Sequence, residues 1–263
     1  SFGPSDPDRK VPVCSPQLDG IAVLIVDRIS VRRGPSVTLD DVSLSLERGR
    51  TLAVVGESGA GKSTLINALL GLVPCRSGKI TWNDAPVRQC KPALVMQEPR
   101  SAFNPRLPLR RSVFEPLTAR GSKPDYDRLN ALCAGVEIKP EMLDRRPTEV
   151  SIGQAQRAGI LRALIAAPPM VLFDEPLSAL DAITQKHTAR LIAQLQSAEG
   201  FASLVVTHDL GYAVAHADDI AVLRAGRVEE LSAARDFVEA PRSAYGHTLR
   251  DAAFALGALE RVA

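Results

Sequence analysis

The run Gly56-Glu57-Ser58-Gly59-Ala60-Gly61-Lys62-Ser63-Thr64 combines glycines, a lysine and hydroxyls at a spacing that can hold phosphate. From Gly56 to Ser63 it follows the pattern G-x-x-x-x-G-K-[ST], in which backbone N–H groups turn inward and form an anion nest at the start of a helix. Lys62 can set a cation between the β- and γ-phosphates of a nucleotide, and the Ser63 hydroxyl can ligate Mg²⁺. The plain alternative is a Gly/Ser-rich turn that binds nothing.

Other residues downstream could complete a hydrolytic site. Met170-Val171-Leu172-Phe173-Asp174-Glu175 is a hydrophobic run ending in two acids. There Asp174 can stand near the Mg²⁺ shell and Glu175 can polarise an attacking water, unless the pair is simply a solvated turn. Ser151 and Gly153, in Val150-Ser151-Ile152-Gly153-Gln154, could bind the γ-phosphate of a nucleotide held by another subunit, or Ser151 could be an ordinary N-cap. Gln97 can reach the metal and the water from a strand end. Ser178-Ala179-Leu180-Asp181 forms a short turn after the acidic pair, and His208 in Thr207-His208-Asp209 could donate to the γ-phosphate or be structural.

These residues need strands and helices to hold them. Alternating or β-branched runs at 21–31 and 37–46 predict strands of an antiparallel sheet, followed by a strand over Thr51–Val55 that feeds the glycine-rich loop. Apolar spacing predicts a helix over 65–72, closed by Pro74, with strands at 78–82 and 93–96. The proline-bearing stretch 97–108 predicts a loop; short helices are expected at 113–117, 126–133 and 141–144, as a helical lobe inserted between parallel strands. A helix over 154–167, a buried strand at 170–173, a helix over 182–198 and a buried strand at 203–206 follow. A hairpin turns at Ala225-Gly226, and residues 236–239 begin a final helical segment. The expected class is α/β.

Composition narrows the setting. At 263 residues, 45% of them hydrophobic and 24% charged, the chain is an ordinary globular protein with a sizeable core. A net charge of +2 gives no support to nucleic-acid binding as the main task. Cys14, Cys75, Cys90 and Cys133 form no C-x-x-C pair, which argues against a metal knuckle or a disulfide framework and suits a reducing compartment. No apolar run approaches the roughly 18–20 residues that span a bilayer, and no signal-peptide core opens the chain, so a cytosolic protein able to dock on a membrane partner is expected. Residues 1–19, with Pro4, Pro7, Pro12 and Pro16, are expected to form a loose arm ahead of a single domain over 20–263, its helical lobe at about 100–155.

Taken together and in this order, the motifs resemble the ATP-binding subunit of ABC transporters, from about Ile21 to Ala252. The resemblance implies a P-loop NTPase core with an antiparallel β edge. It further implies ATP and Mg²⁺ as cofactors and a head-to-tail dimer, in which each ATP lies between one phosphate loop and the partner's signature segment. Glu175 would then be the general base and His208 the γ-phosphate switch; Asp174, Ser63 and Gln97 would attend Mg²⁺, and Asp181 would lie at the dimer contact. The stretch 96–105, of the form Q-x-P-x-S-x-x-N-P, and Tyr245-Gly246-His247-Thr248-Leu249 after Pro241 are similar to the peptide/nickel importer branch. That similarity implies membrane permease subunits as partners, an extracytoplasmic binding protein acting indirectly, and a peripheral position on the cytoplasmic face of the inner membrane. The permease is expected to dock near residues 97–111. Rival readings are an ATPase subunit of a soluble complex such as carbon–phosphorus lyase, and a non-catalytic, nucleotide-regulated assembly module.

The chain departs from the family twice. Ile152 stands where the signature Leu-Ser-Gly-Gly-Gln has its first glycine, which implies a weakened composite site and favours a heterodimer. Arg33 stands where an aromatic usually stacks on adenine, a task its planar guanidinium can also perform. With no cysteine after Cys133, no iron–sulfur centre is expected.

Overall fold

The computed structural model describes residues 22–259, with side chains from Leu24 onward. The arm expected over 1–19 lies outside the described residues.

Two long strands open the fold, β1 (Ala22–Arg33) and β2 (Ser36–Glu47), paired antiparallel from Ala22↔Glu47 to Arg33↔Ser36. Next come β3 (Thr51–Val55) and α1 (Lys62–Leu69), then β4 (Ser77–Trp82) and the two-residue β5 (Ala85–Pro86). The helix stops at Leu69, earlier than expected, and the chain turns at Gly71 well before Pro74. β6 (Ala93–Val95) then leads into the helical region: α2 (Leu109–Val113), α3 (Glu115–Ala119), α4 (Tyr126–Gly135) and α5 (Ile152–Leu164).

The single helix expected at 113–117 is instead a break between two helices. Pro116 has no N–H to give the carbonyl of Ser112, so α2 ends at Val113 and α3 restarts with the proline in its first turn. Segment 141–144 is a tighter 3₁₀ turn, Pro140–Asp144. The remaining elements are β7 (Met170–Asp174), α6 (Ala182–Glu199), β8 (Ala202–Thr207), α7 (Leu210–His216), β9 (Asp219–Arg224), β10 (Arg227–Ala233), α8 (Ala234–Glu239) and α9 (Ala244–Ala255). Helices α7 and α9 add to the expected elements.

The strands form two sheets, one ordered β2-β1-β4-β5 and one ordered β10-β9-β3-β8-β7-β6. In the second sheet β9, β3, β8, β7 and β6 run parallel, and β10 closes it as an antiparallel edge. The fold is thus the expected α/β P-loop architecture with an antiparallel β edge.

Three buried clusters hold it. Leu52, Val54, Leu172, Leu204 and Val206 face the antiparallel sheet and α1. Val171, Phe173 and Val205 point the opposite way, into the helical region around Leu129, Leu143 and Leu161. Ala53, Val55, Ile220 and Val222 pack under α7, α8 and α9. This alternation along continuous apolar strands is what a parallel sheet covered on both faces requires.

The register decides where chemistry can occur. Val55 lies beside Thr207, Val206 beside Asp174, and Val95 beside Phe173. The residues leaving those strand ends are Gly56, His208, Glu175 and Gln97, all at the carboxyl edge where open α/β sheets bind ligands.

Candidate active site

The phosphate loop is shaped by what crowds it. A Cβ on Gly56 would stand 2.1 Å from the Leu223 carbonyl oxygen. Gly61, at φ +110, caps α1 in the left-handed region, and a Cβ there would meet the Thr38 oxygen at 2.7 Å and Leu39 at 2.8 Å. Only glycine fits either position. Across the loop, the Gly226 N–H donates to the Ala60 carbonyl at 2.9 Å, tying it to the β9–β10 turn. Left-handed Ala225 (φ 46) and Gly226 (φ 79) build that turn, as the sequence dipeptide predicts.

Lys62 is folded into the loop, 8% exposed, its Nζ donating to the Gly56 oxygen at 2.7 Å and the Glu57 oxygen at 3.0 Å. Burial pushes its pKa down, while the Glu175 and Asp174 carboxylates work against that and favour the charged form. Glu57, Ser58, Gly59 and Ser63 remain exposed along the loop, with Ala60 and Thr64 buried beneath it.

Asp174 and Glu175 leave β7 half-buried. Burial, then the neighbouring Glu175 charge, raise the Asp174 pKa, and Lys62 opposes the rise. Glu175 has φ +47, a left-handed conformation that costs a branched or long side chain about 1–2 kcal/mol. Its N–H donates to the Val206 carbonyl at 2.9 Å, which locks the turn. The strain aims its carboxylate at His208: Nδ1 to Oε2 is 2.5 Å, with Glu175 13% exposed and the imidazole 65% exposed. The carboxylate accepts, so Nδ1 carries the proton. Both line a recess of about 120 Å³ with Ser178, Gln185 and Asp209. Asp209 was no candidate from sequence; it N-caps α7 through the Tyr212 N–H at 2.9 Å and so fixes the backbone after His208. An acid directly before an apolar helical run was the signal for it.

The remaining candidates gather elsewhere. Ser151 caps α5 in a reciprocal box: its hydroxyl accepts the Gln154 N–H at 3.1 Å, and the Gln154 side chain accepts the Ser151 N–H at 3.0 Å. Asp181 caps α6, accepting from Ile183 N–H, Thr184 N–H and the Thr184 hydroxyl, which together hold its pKa down. With Ile152 and Gly153 these residues line an open groove of about 680 Å³ that no phosphate-loop residue enters. Ile152 is 43% exposed at the first position of α5. Gln97, two residues beyond β6, and Arg33, at the end of β1, are both exposed and stand outside either cluster's hydrogen-bond network. No cluster of three or more His, Cys, Asp or Glu side chains suited to a metal occurs among the described residues.

A family model described as ABC transporter matches residues 39–178. The oligopeptide transport ATP-binding protein OppF of Salmonella typhimurium is 35% identical over 228 residues, covering 81% of this chain and 68% of that protein. The probable D,D-dipeptide transport ATP-binding protein DdpF of Escherichia coli is 37% identical over 217 residues, covering 81% and 69%. Among solved structures, an ATP-binding subunit of an ABC transporter superposes with a TM-score of 0.74 at 26% identity, over 88% of this chain and 98% of that one. A dimeric post-hydrolysis ATP-binding cassette bound to ADP and Pi gives 0.69 at 26% identity, over 81% and 99%. With a lysine-bearing glycine-rich loop at the carboxyl edge of its parallel sheet and these relatives over most of its length, the chain belongs to the ABC transporter family, as an ATPase subunit.

Proposed function

We propose that this chain energises uptake of oligopeptides or dipeptides through a membrane permease, binding ATP on its phosphate loop and hydrolysing it at Glu175. The observation that carries the chemistry is the Glu175–His208 pair at 2.5 Å, set beside Lys62 at the end of the parallel strands. Peptides as cargo follow from the names of the related importers, oligopeptide and D,D-dipeptide transport proteins. Nickel or a metal chelate is the other cargo of the branch that the sequence resembles.

In this reading Gly56, Glu57, Ser58, Gly59, Ala60, Gly61 and Thr64 offer loop backbone to the phosphates, and Lys62 swings its ammonium from the loop carbonyls toward them. Glu175 takes the proton of the attacking water. His208 holds Glu175 through Nδ1, and its Nε2 would donate to the γ-phosphate when the imidazole carries its second proton. The donors suit Mg²⁺: the exposed Ser63 hydroxyl, Asp174 and Gln97 supply few oxygens, as expected for an ion that takes most of its shell from phosphate and water, so the lack of an acidic cluster is no objection. When bound, Mg²⁺ neutralises charge on the β- and γ-phosphates. Arg33 would lie against adenine.

Ser151, Gly153, Gln154 and Asp181 serve the nucleotide of a partner ATPase, which accounts for their separation from this chain's own loop. Ile152 in that groove favours a different chain as partner over a second copy. The domain over 20–263, with its lobe at about 100–155, sits on the cytoplasmic face of the inner membrane as a peripheral subunit, a binding protein delivering cargo outside. No helix among the described residues is long and apolar enough to cross a membrane.

The test is reconstitution in liposomes with a permease of the peptide-importer branch, comparing ATP-dependent uptake of labelled peptides with that of nickel. Peptide uptake lost on Lys62→Ala supports the reading. Nickel uptake alone reassigns the cargo, and failure to associate with any permease returns the chain to the soluble-complex reading.

A further inference from the structure

The loop that follows β6 carries Gln97 and so serves, in the function proposed above, this chain's own nucleotide. Just beyond it, Arg100 opens a 3₁₀ turn over Arg100–Ala102. Pro99 stands between them, buried, its ring holding φ at −58, so the link is short and stiff. The Arg100 side chain reaches across the fold: Nη2 donates to the Val150 carbonyl oxygen at 2.6 Å, 50 residues away in the chain. Val150 is 4% exposed and directly precedes Ser151.

That carbonyl belongs to the peptide unit that enters Ser151, and the N–H of the same peptide donates to the Gln154 side-chain oxygen at 3.0 Å. The peptide plane is therefore held from both sides, by the Gln97 loop on one and by α5 on the other. Its orientation sets where the Ser151 hydroxyl, which accepts the Gln154 N–H at 3.1 Å, points. The same loop is fastened to α5 again farther along. The Arg162 guanidinium donates to the Ala102 oxygen and lies 5.1 Å from the centroid of the Phe103 ring, itself 5% exposed. The Arg162 ties fix the loop to the body of the helix, whereas the Arg100 bond acts on the residue before its cap.

An ionised donor holds a carbonyl more firmly than a neutral one. We propose that Arg100 is a positioning residue for Ser151: it couples the Gln97 loop to the signature segment, so that nucleotide on this chain's phosphate loop sets the geometry of the half-site offered to a partner ATPase. The proposal rests on Gln97 attending a nucleotide bound at Lys62.

Hydrogen exchange of the Ser151 and Gln154 amides reads the coupling in the full chain, with and without Mg²⁺ and the non-hydrolysable analogue AMP-PNP. A saturating concentration of the analogue should slow both amides roughly three- to tenfold in the wild type, the scale of one hydrogen bond made firmer. Arg100→Met keeps an unbranched stem and loses the donor, and should abolish that slowing. Arg100→Lys keeps a cation able to donate to one carbonyl and should retain it, a rescue that packing alone would not require. In both variants affinity for the analogue, measured by calorimetry, should stay within about twofold and the melting temperature should be unchanged, since Arg100 is exposed. Slowing that persists in Arg100→Met, vanishes in Arg100→Lys, or is absent from a wild-type chain that binds the analogue overturns the inference and leaves the phosphate-loop site standing. So does slowing seen only at protein concentrations high enough to pair two copies. A wild-type chain that fails to bind the analogue overturns both.

Discussion

The phosphate-loop edge and the signature edge of this chain contain similar residue types in opposite conditions. At the first, Lys62, Asp174, Glu175 and His208 gather at the ends of β3, β7 and β8: the lysine is buried, the glutamate backbone is strained and both acids favour the charged lysine. At the second, Ser151 and Asp181 spend their side chains on their own helix starts and leave an open groove with Ile152 exposed in it. In the function proposed above, the first edge is a nearly complete site, whereas the second is half of one. The difference lies in what each must wait for. Strand register brings the first set together as soon as the sheet forms, while the second, in the function proposed above, is completed by another polypeptide.

The largest effect that would sharpen this contrast is Glu175→Gln, which should keep ATP binding and cut turnover by roughly 10²–10⁴-fold, the usual scale for loss of a general base. Steady-state phosphate release measures it; unchanged turnover would remove Glu175 from that role. Lys62→Ala should come next, lowering MgATP affinity by roughly 10- to 100-fold, as expected for charge-assisted hydrogen bonds to phosphate. Nucleotide titration reads it, and wild-type affinity would mean that the first edge is not the complete site described.

The signature edge should respond more weakly and only in company. Ile152→Gly is expected to change ATPase activity by about two- to fivefold in the mixture with a partner ATPase and not at all in the chain alone, on the scale of a lost steric crowding at backbone that nears phosphate. If the chain alone hydrolyses ATP cooperatively at full rate and Ile152→Gly alters nothing in the mixture, the asymmetric pairing is wrong.

The smallest effect concerns the expected docking loop, where Arg106 and Arg110 look equivalent in sequence. The structure separates them: Arg110 forks onto Asp144 at 2.6 and 2.9 Å and donates to the Pro140 oxygen at 2.8 Å, while Arg106 is exposed. Arg110→Glu should therefore destabilise the helical region by about 1 kcal/mol, the upper end for a largely exposed pair, and lower the melting temperature by about 2–4 °C. Arg106→Glu should leave stability alone and impair transport, so Arg106 is the residue that probes docking. Equal melting temperatures for the two variants would erase the distinction.

Much of this was legible from residue types. Gly56 to Ser63 specified strand, loop and helix, because a turn packed this closely against the Leu223 and Thr38 carbonyls admits only glycine at Gly56 and Gly61. The continuous apolar runs of β7 and β8 specified strands buried on both faces. The break at Phe114 was written in Pro116 but masked by the apolar spacing around it. Helix α9 was missed because its apolar positions are few and its start depends on a distant carboxylate, Glu230.

By itself, then, the sequence determined the P-loop core, the α/β class and the glycine-rich turn from strand into helix at Gly56 to Ser63, since these follow from local periodicity and from the short-range geometry of glycine, lysine and hydroxyl groups. Only the tertiary structure decided that Glu175 meets His208, that Ser151 and Asp181 share a groove apart from Lys62, and that Glu230 fixes the start of α9. Those pairings join residues far apart in the chain. Strand order and register set such distances, and no local pattern encodes them.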